Sequence, residues 1–211
     1  MRLIGIYNAP AMVTLCGLFC SVIAIYLAFN DYSAFGVVAL IWAGIFDLFD
    51  GLVARAKSRT RQEAEFGVQI DSLVDVVSFG IAPIAVALSF GVSGFWFYLI
   101  TLIYICATVQ RLAYFNTEQA SNSTEPGSTV AYYNGLPVTF AALIFGIGFS
   151  LVTLLTPHVH AFYLNTLFLV TACLYVAPIR IPKPKGAVYI IMPTLAVLFS
   201  GYWLMLGLRG S

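Results

Sequence analysis

Four aspartates crowd one short stretch of an otherwise apolar chain: Asp47, Asp50, Asp71 and Asp75. They make up four of the nine acidic residues in the sequence. Asp47 and Asp50 are three positions apart, and Asp71 and Asp75 four apart. On a helix, either spacing puts both carboxylates on one face. Gly51 and Ala54 continue the first face, and Gly67 precedes Asp71 by one turn on the second. Each carboxylate pair therefore comes with small residues, which leave room for a flat or bulky ligand to approach the backbone. Carboxylates are hard oxygen ligands that favour magnesium, manganese or calcium over zinc or copper. Two such ions could share the four acids and clamp phosphate oxygens between them. If all four ionised side by side they would repel strongly, so either some stay protonated or a cation sits among them. A plainer use of the acids is pairing with Arg55, Lys57, Arg59 and Arg61. That pairing would leave the neighbouring glycines without a purpose.

The elements that position these acids must suit lipid. Of the 211 residues 61% are hydrophobic and only 9% charged, against roughly 25% charged in ordinary soluble domains. A chain this apolar lacks the polar surface to cover itself in water. The net charge of +1 offers no basic field for nucleic acid. Seven runs approach the ~20 residues needed to cross a bilayer. They lie at roughly 10–29, 34–56, 66–90, 94–116, 133–155, 160–178 and 187–208. Backbone groups in lipid must pair internally, so such runs imply helices. They lack the alternation of a lipid-facing β-barrel. The expected fold is all-α: a polytopic integral membrane bundle of about seven transmembrane helices, forming a single domain over 1–211. Pro193 and Gly201 interrupt the last run, so six to eight spans fit the pattern. No cleavable signal peptide is expected, because the first apolar run lacks a small-residue cleavage site. Cys16, Cys20, Cys106 and Cys173 all fall inside apolar runs and read as small packing residues rather than a zinc site.

Basic residues set the expected orientation. Arg55, Lys57, Arg59 and Arg61 lie between the second and third runs, and Arg111 near the end of the fourth. Arg180, Lys183 and Lys185 lie between the sixth and seventh. The connections near 30–33, 91–93 and 156–159 hold no lysine or arginine. This positive-inside alternation places the N-terminus and the loops at 57–65, 117–132 and 179–186 in the cytoplasm. The C-terminus then lies outside, although Arg209 runs slightly against that. The four aspartates fall at the cytoplasmic ends of the second and third spans. The polar segment 117–132 reads as the one long loop, either a flap over a site or a connection. His158 and His160 fall on the outer side, away from the acids, and carry no assigned catalytic role. Trp42, Trp96 and Trp203 read as lipid contacts or interface anchors.

The stretch D-L-F-D-G-L-V-A-R, eleven residues, then G-V-Q-I-D-S-L-V-D resembles the signature of the CDP-alcohol phosphotransferase family. That signature is D-x2-D-G-x2-A-R followed by G-x3-D-x3-D, and all eight fixed positions match. The family's spacer is commonly eight or nine residues; eleven resembles its phosphatidylserine synthase branch. The continuation V-V-S-F-G-I-A-P through Phe79, Gly80 and Pro83 looks like that branch's extended motif. R-L-A-Y-F-N at 111–116, N-G-L-P at 134–137 and I-R-I-P-K-P at 179–184 look like its further elements. One departure stands in the first helix, where T-L-C-G-L-F-C-S places Gly17 and Ser21 at positions that are usually asparagine and glycine.

The resemblance implies a chemistry. An acceptor hydroxyl attacks the lipid-linked phosphate of CDP-diacylglycerol, and CMP leaves. In this branch the acceptor is L-serine and the product phosphatidylserine. It implies divalent metal, Mg2+ or Mn2+ with Ca2+ also compatible, as two ions. Asp47, Asp50 and Asp71 would be metal ligands, and Asp75 a ligand or the general base. Asp50, Gly51, Ala54, Arg55, Gly67 and Asp71 would meet the nucleotide. For the acceptor's carboxylate or the lipid phosphate the candidate cations are Arg111 first, able to hold an oxyanion through a fork, then Arg180 and Lys183, with Lys185 beside them. Asn116 and Asn134 could hold serine's polar groups or cap helix ends. Thr14 could meet the nucleotide or simply pack between helices. The family resemblance also implies a homodimer in a cell or cytoplasmic membrane, with the site at the cytoplasmic face and no nucleic-acid partner. Other readings stay open at this point. The acceptor could be glycerol phosphate or inositol phosphate, and the donor an ether lipid. A cation or proton transporter could use intramembrane acids as its pathway, although such acids are expected near mid-membrane on broken helices. A structural scaffold would leave the glycines unexplained.

Overall fold

Local signals mark the starts of several helices. The computed structural model describes residues 4–122, 132–182 and 186–210; Lys183 and Lys185 lie outside these residues. Helix α1 (Ala9–Phe29) opens on Asn8, whose side chain accepts a 3.1 Å hydrogen bond from the Ala11 N–H, with Pro10 in the first turn. After a tight turn through Asp31, α2 (Ser33–Ala56) runs back along it. The pair packs closely because its contact residues are small. A Cβ on Gly36 would sit 3.3 Å from the Ala24 carbonyl oxygen.

Helix α3 (Arg61–Asp75) starts at a capping box, in which Thr60 and Glu63 satisfy each other's backbone N–H. That box moves the start of the third span back from the expected 66 to Arg61. The span then passes through a π-helical turn (Val76–Ile81) into α4 (Ala82–Ser89). Helix α5 (Phe95–Asn122) runs beyond its expected end, so the first part of the polar 117–132 segment is helical. Residues 123–131 lie outside the described residues.

Strand β1 (Tyr132–Asn134) pairs antiparallel with β2 (Arg180–Pro182), placing Asn134 opposite Arg180. The fifth apolar run yields a shorter helix than expected. Gly135 adopts φ +84 and Pro137 follows, so α6 (Phe140–Val152) begins late. Its 13 residues reach about 20 Å at 1.5 Å per residue. Helix α7 (Pro157–Val176) and helix α8 (Val188–Gly210) follow; α8 continues through Pro193 and Gly201 without a break. Among the described residues, six helical spans are long and apolar enough to cross a membrane, and α6 is a shorter seventh. The chain is an all-α, polytopic membrane bundle of about seven helices.

Its centre is aromatic. Tyr104, Phe145, Phe168 and Tyr175 are fully buried and meet ring to ring. Trp203 joins this interior rather than lipid, donating to Ser150 Oγ at 3.0 Å. Cys16, Cys106 and Cys173 face outward and Cys20 is half-buried, so they do not serve as interior packing.

Candidate functional site

The two acidic faces converge. Carboxylate oxygens of Asp47 on α2 and of Asp71 and Asp75 on α3 lie within 4.8 Å of one another. Asp50 lies just beyond this group, on the same face of α2. Its Oδ2 turns toward α1, where Thr14 Oγ1 is 2.7 Å away. The same hydroxyl lies 3.1 Å from the Pro10 carbonyl. A hydroxyl has one proton, and the shorter contact to the acidic acceptor takes it. Asp50 and Asp75 are buried, and Asp71 Oδ1 is a buried oxygen with no hydrogen-bond partner. Among the described residues the one ion pair is Arg61–Glu65, at the start of α3. Pairing of the aspartates with Arg55, Lys57, Arg59 and Arg61 is therefore not made. Buried carboxylates without a basic partner are costly. An unsatisfied Asp71 oxygen aimed among oxygen-only donors is what a hard divalent cation would satisfy.

All four aspartates line one cavity of about 180 Å³, together with Gly51, Arg55, Arg111 and Tyr189. Ala54, Gly67, Asn116 and Arg180 are not among its lining residues. A Cβ on Gly67 would face Arg59 Nη1 at 3.4 Å. Asn116 ties α5 to α3 by donating to Ser72 Oγ at 2.7 Å, between Asp71 and Asp75 in sequence. Arg180 is exposed on β2, while Asn134 donates to Glu118 Oε1.

Arg111 is buried at the cavity wall. Its Nε donates to the Leu136 carbonyl at 2.9 Å and its Nη2 to the Gly135 carbonyl at 3.1 Å. The N-G-L-P turn is thus held against α5 by a guanidinium. Glycine is required there: the φ is +84, and a Cβ would lie 3.1 Å from the Tyr175 carbonyl oxygen and 3.4 Å from Arg111 Cζ. The fork expected to face an acceptor carboxylate spends two of its N–H groups on this turn.

The π-helical turn follows directly on Asp75. Pro83 has no N–H, so the carbonyl four residues earlier, that of Phe79, lacks its usual helical donor. The Tyr104 hydroxyl donates to it instead. Ser78 sits in the same turn, 2.6 Å from Ser21 Oγ on α1. Ser21 and Gly17 are the two departures from the family's first-helix pattern. Gly17 has no side chain to offer the acids; Thr14, one turn earlier, supplies the polar contact from α1.

A second, apolar cavity of about 110 Å³ lies between α2, α6 and α8. Asp47, Leu48, Thr139 and Phe140 line both cavities. Beyond them the wall is apolar, with Ile41, Ile45, Leu195 and Phe199. Helices α2 and α6 come closest at Gly44, where an added Cβ would overlap Ala142 Cβ. The contributions of Thr139 and Tyr189 to this region carry no local sequence signal, whereas Thr14 is among the residues expected to meet the nucleotide or pack between helices. The N-G-L-P turn does carry one.

The chain matches the family model of CDP-alcohol phosphatidyltransferase over residues 7–177. It is 33% identical over 139 residues to the CDP-diacylglycerol--serine O-phosphatidyltransferase of Bacillus subtilis (strain 168), covering 64% of this chain and 71% of that protein. It is 30% identical over 145 residues to the protein of the same name from Helicobacter pylori (strain ATCC 700392 / 26695), covering 66% of this chain and 56% of that one. The like-named Saccharomyces cerevisiae protein is 35% identical over 106 residues, covering 49% of this chain and 37% of its own length.

Proposed function

Because the chain belongs to the CDP-alcohol phosphatidyltransferase family, we propose that it transfers a phosphatidyl group from CDP-diacylglycerol to the hydroxyl of L-serine, releasing CMP. The observation that carries the reading is the adjacency of two cavities. An acid-lined space and an apolar one share Asp47, Leu48, Thr139 and Phe140 as common wall. A nucleotide lipid has that shape: a charged pyrophosphate that needs metal, joined to acyl chains that need hydrocarbon. The names of the relatives support serine as the acceptor.

Asp47, Asp71 and Asp75 would hold divalent metal, Mg2+ or Mn2+, with Asp50 beside them. When bound, the metal neutralises the phosphate charge and stabilises the departing CMP. The serine oxygen bonds to the lipid-linked phosphorus as the bond from that phosphorus to the CMP oxygen breaks. Asp75 accepts the serine proton as the new bond forms, since a carboxylate is too weak a base to remove it beforehand. Thr14 keeps Asp50 oriented, Gly51 gives the nucleotide room at the backbone, and Arg55 offers a cation at the cavity's rim. Arg111 holds the 135–136 turn against the site. Arg55, Arg59, Arg61 and Arg180 support a cytoplasmic location for this end of the bundle. One domain over 1–211 and a homodimer complete the reading.

The test is CMP release by purified protein in detergent, given CDP-diacylglycerol and Mn2+ or Mg2+. Serine, inositol phosphate and glycerol phosphate are offered separately. Release with serine alone is expected, and chelation should abolish it. Release with a different acceptor moves the assignment to that alcohol, and folded protein that releases CMP with none of them overturns the reading.

A further inference from the structure

We propose that Tyr189, on the first turn of α8, is a positioning residue that holds the Arg55 guanidinium at the acid-lined cavity, ready for the nucleotide's phosphate. This rests on the nucleotide-lipid reading above. Arg55 stands on the last turn of α2, one turn beyond Gly51, and its side chain is exposed. Left alone, so long a side chain would sample many rotamers and point into water. Instead Nη2 donates to Tyr189 Oη at 2.8 Å, across 134 residues of sequence. Both residues line the cavity that holds the four aspartates.

The choice of partner matters. A carboxylate in the place of the phenol would fix Arg55 equally well and cancel its charge. The phenol oxygen accepts the hydrogen bond while the guanidinium keeps its full charge for an incoming anion. The need for that charge is visible at the site. A pyrophosphate entering here meets four carboxylates, and the other cation of the cavity wall, Arg111, gives two donors to the Gly135 and Leu136 carbonyls. Arg55 is the cation at the exposed rim.

The backbone fixes where Tyr189 lies. Gly186, with φ +44, turns the chain into α8, and the Tyr189 N–H bonds back to the Gly186 carbonyl at 3.1 Å. Tyrosine at a helix end near the membrane surface also serves as a plain interface anchor. An anchor depends on the ring, and the positioning role on the hydroxyl, so Tyr189→Phe separates the two.

The experiment compares wild type, Tyr189→Phe, Arg55→Met and the double variant, all checked for equal elution and thermal midpoint in detergent. CDP affinity is measured by calorimetry with Mg2+ present, alongside donor and serine kinetics. Tyr189→Phe should weaken CDP binding and raise the donor KM about fivefold, within the range of one ordinary hydrogen bond, since this one is solvent-exposed. Its kcat at saturating donor and its serine KM should stay within about twofold, since the phenol touches neither the acceptor nor the reacting atoms. In the Arg55→Met background, removing the hydroxyl should cost nothing further. Wild-type affinity in Tyr189→Phe, or an equal loss with and without Arg55, overturns the proposal. Wild type that fails to bind CDP with metal present overturns the nucleotide reading and this proposal with it, a result distinct from either.

Discussion

Thr14 Oγ1 on α1 lies 2.7 Å from Asp50 Oδ2 on α2, at the edge of the cavity that the other three acids also line. The hydroxyl is buried, so the bond is shielded from water. Thr14→Val keeps shape and volume but removes the donor. A lost hydrogen bond to a charged acceptor costs about 1.5–3 kcal/mol, and about 1.4 kcal/mol is tenfold in an equilibrium constant. We expect kcat/KM for the nucleotide lipid to fall at least about tenfold, with the protein still monodisperse. Wild-type kinetics in Thr14→Val would mean that Asp50 needs no orientation from α1.

Asp71 carries the unpartnered buried oxygen of the cluster. Without metal its charge is a liability beside Asp47 and Asp75; with metal it is a ligand. Asp71→Asn should therefore act in opposite directions on two readouts. The metal-free variant should unfold at a higher temperature than metal-free wild type, because one like charge is gone. Added Mg2+ or Mn2+ should stabilise wild type, by about 2.7 kcal/mol at one hundred times the dissociation constant, and the variant far less. CMP release should be lost. A variant that keeps the metal-induced shift and full turnover would remove Asp71 from the metal shell.

The acidic faces were legible because helical spacing is a local rule: residues three and four apart share a side whatever the tertiary fold. Convergence of Asp47 with Asp71 and Asp75 followed from two such faces on consecutive antiparallel spans. The Thr14–Asp50 and Arg55–Tyr189 contacts had no such signal, since they join helices whose relative rotation the sequence pattern does not state. Helix α6 is shorter than its apolar run for a different reason. Hydropathy counts apolar residues, and Y-N-G-L-P-V is apolar enough, but Gly135 and Pro137 make it a turn and leave α6 short. The same turn captures two donors of Arg111, a use that a reading of charge alone assigns to ligand. At Trp203, hydrophobicity likewise could not tell lipid from protein interior.

Gly135 is where turn and site are joined. An alanine there would have to hold φ +84 with its Cβ 3.1 Å from the Tyr175 carbonyl oxygen. Such strain costs on the order of 1–3 kcal/mol. Gly135→Ala should lower the thermal midpoint in detergent and reduce kcat/KM, because the turn that Arg111 grips moves with it. Arg111→Lys should reproduce the activity loss, since one ammonium cannot span both carbonyls in the geometry of the fork. If Arg111→Lys were fully active, the double contact would matter for neither turn nor chemistry.

Tyr104 supplies the donor that Pro83 denies to the Phe79 carbonyl, within a π-helical turn that begins directly after Asp75. Removing the hydroxyl leaves a buried carbonyl unsatisfied at the centre of an aromatic cluster, a cost of about 1–3 kcal/mol. Tyr104→Phe keeps the ring and its contacts with Phe145, Phe168 and Tyr175. The turn can answer in two ways: it can keep its shape and lose stability, or relax and rotate Asp75, which stands immediately before its first residue. The first outcome lowers the thermal midpoint and leaves kcat near wild type. The second also weakens metal-induced stabilisation, because Asp75 would leave the cluster. We expect the second, since π-helical turns occur mostly as isolated single turns inside α-helices and this one adjoins Asp75. A Tyr104→Phe protein with wild-type midpoint, metal response and turnover would show that the turn is set by α3 and α4 alone.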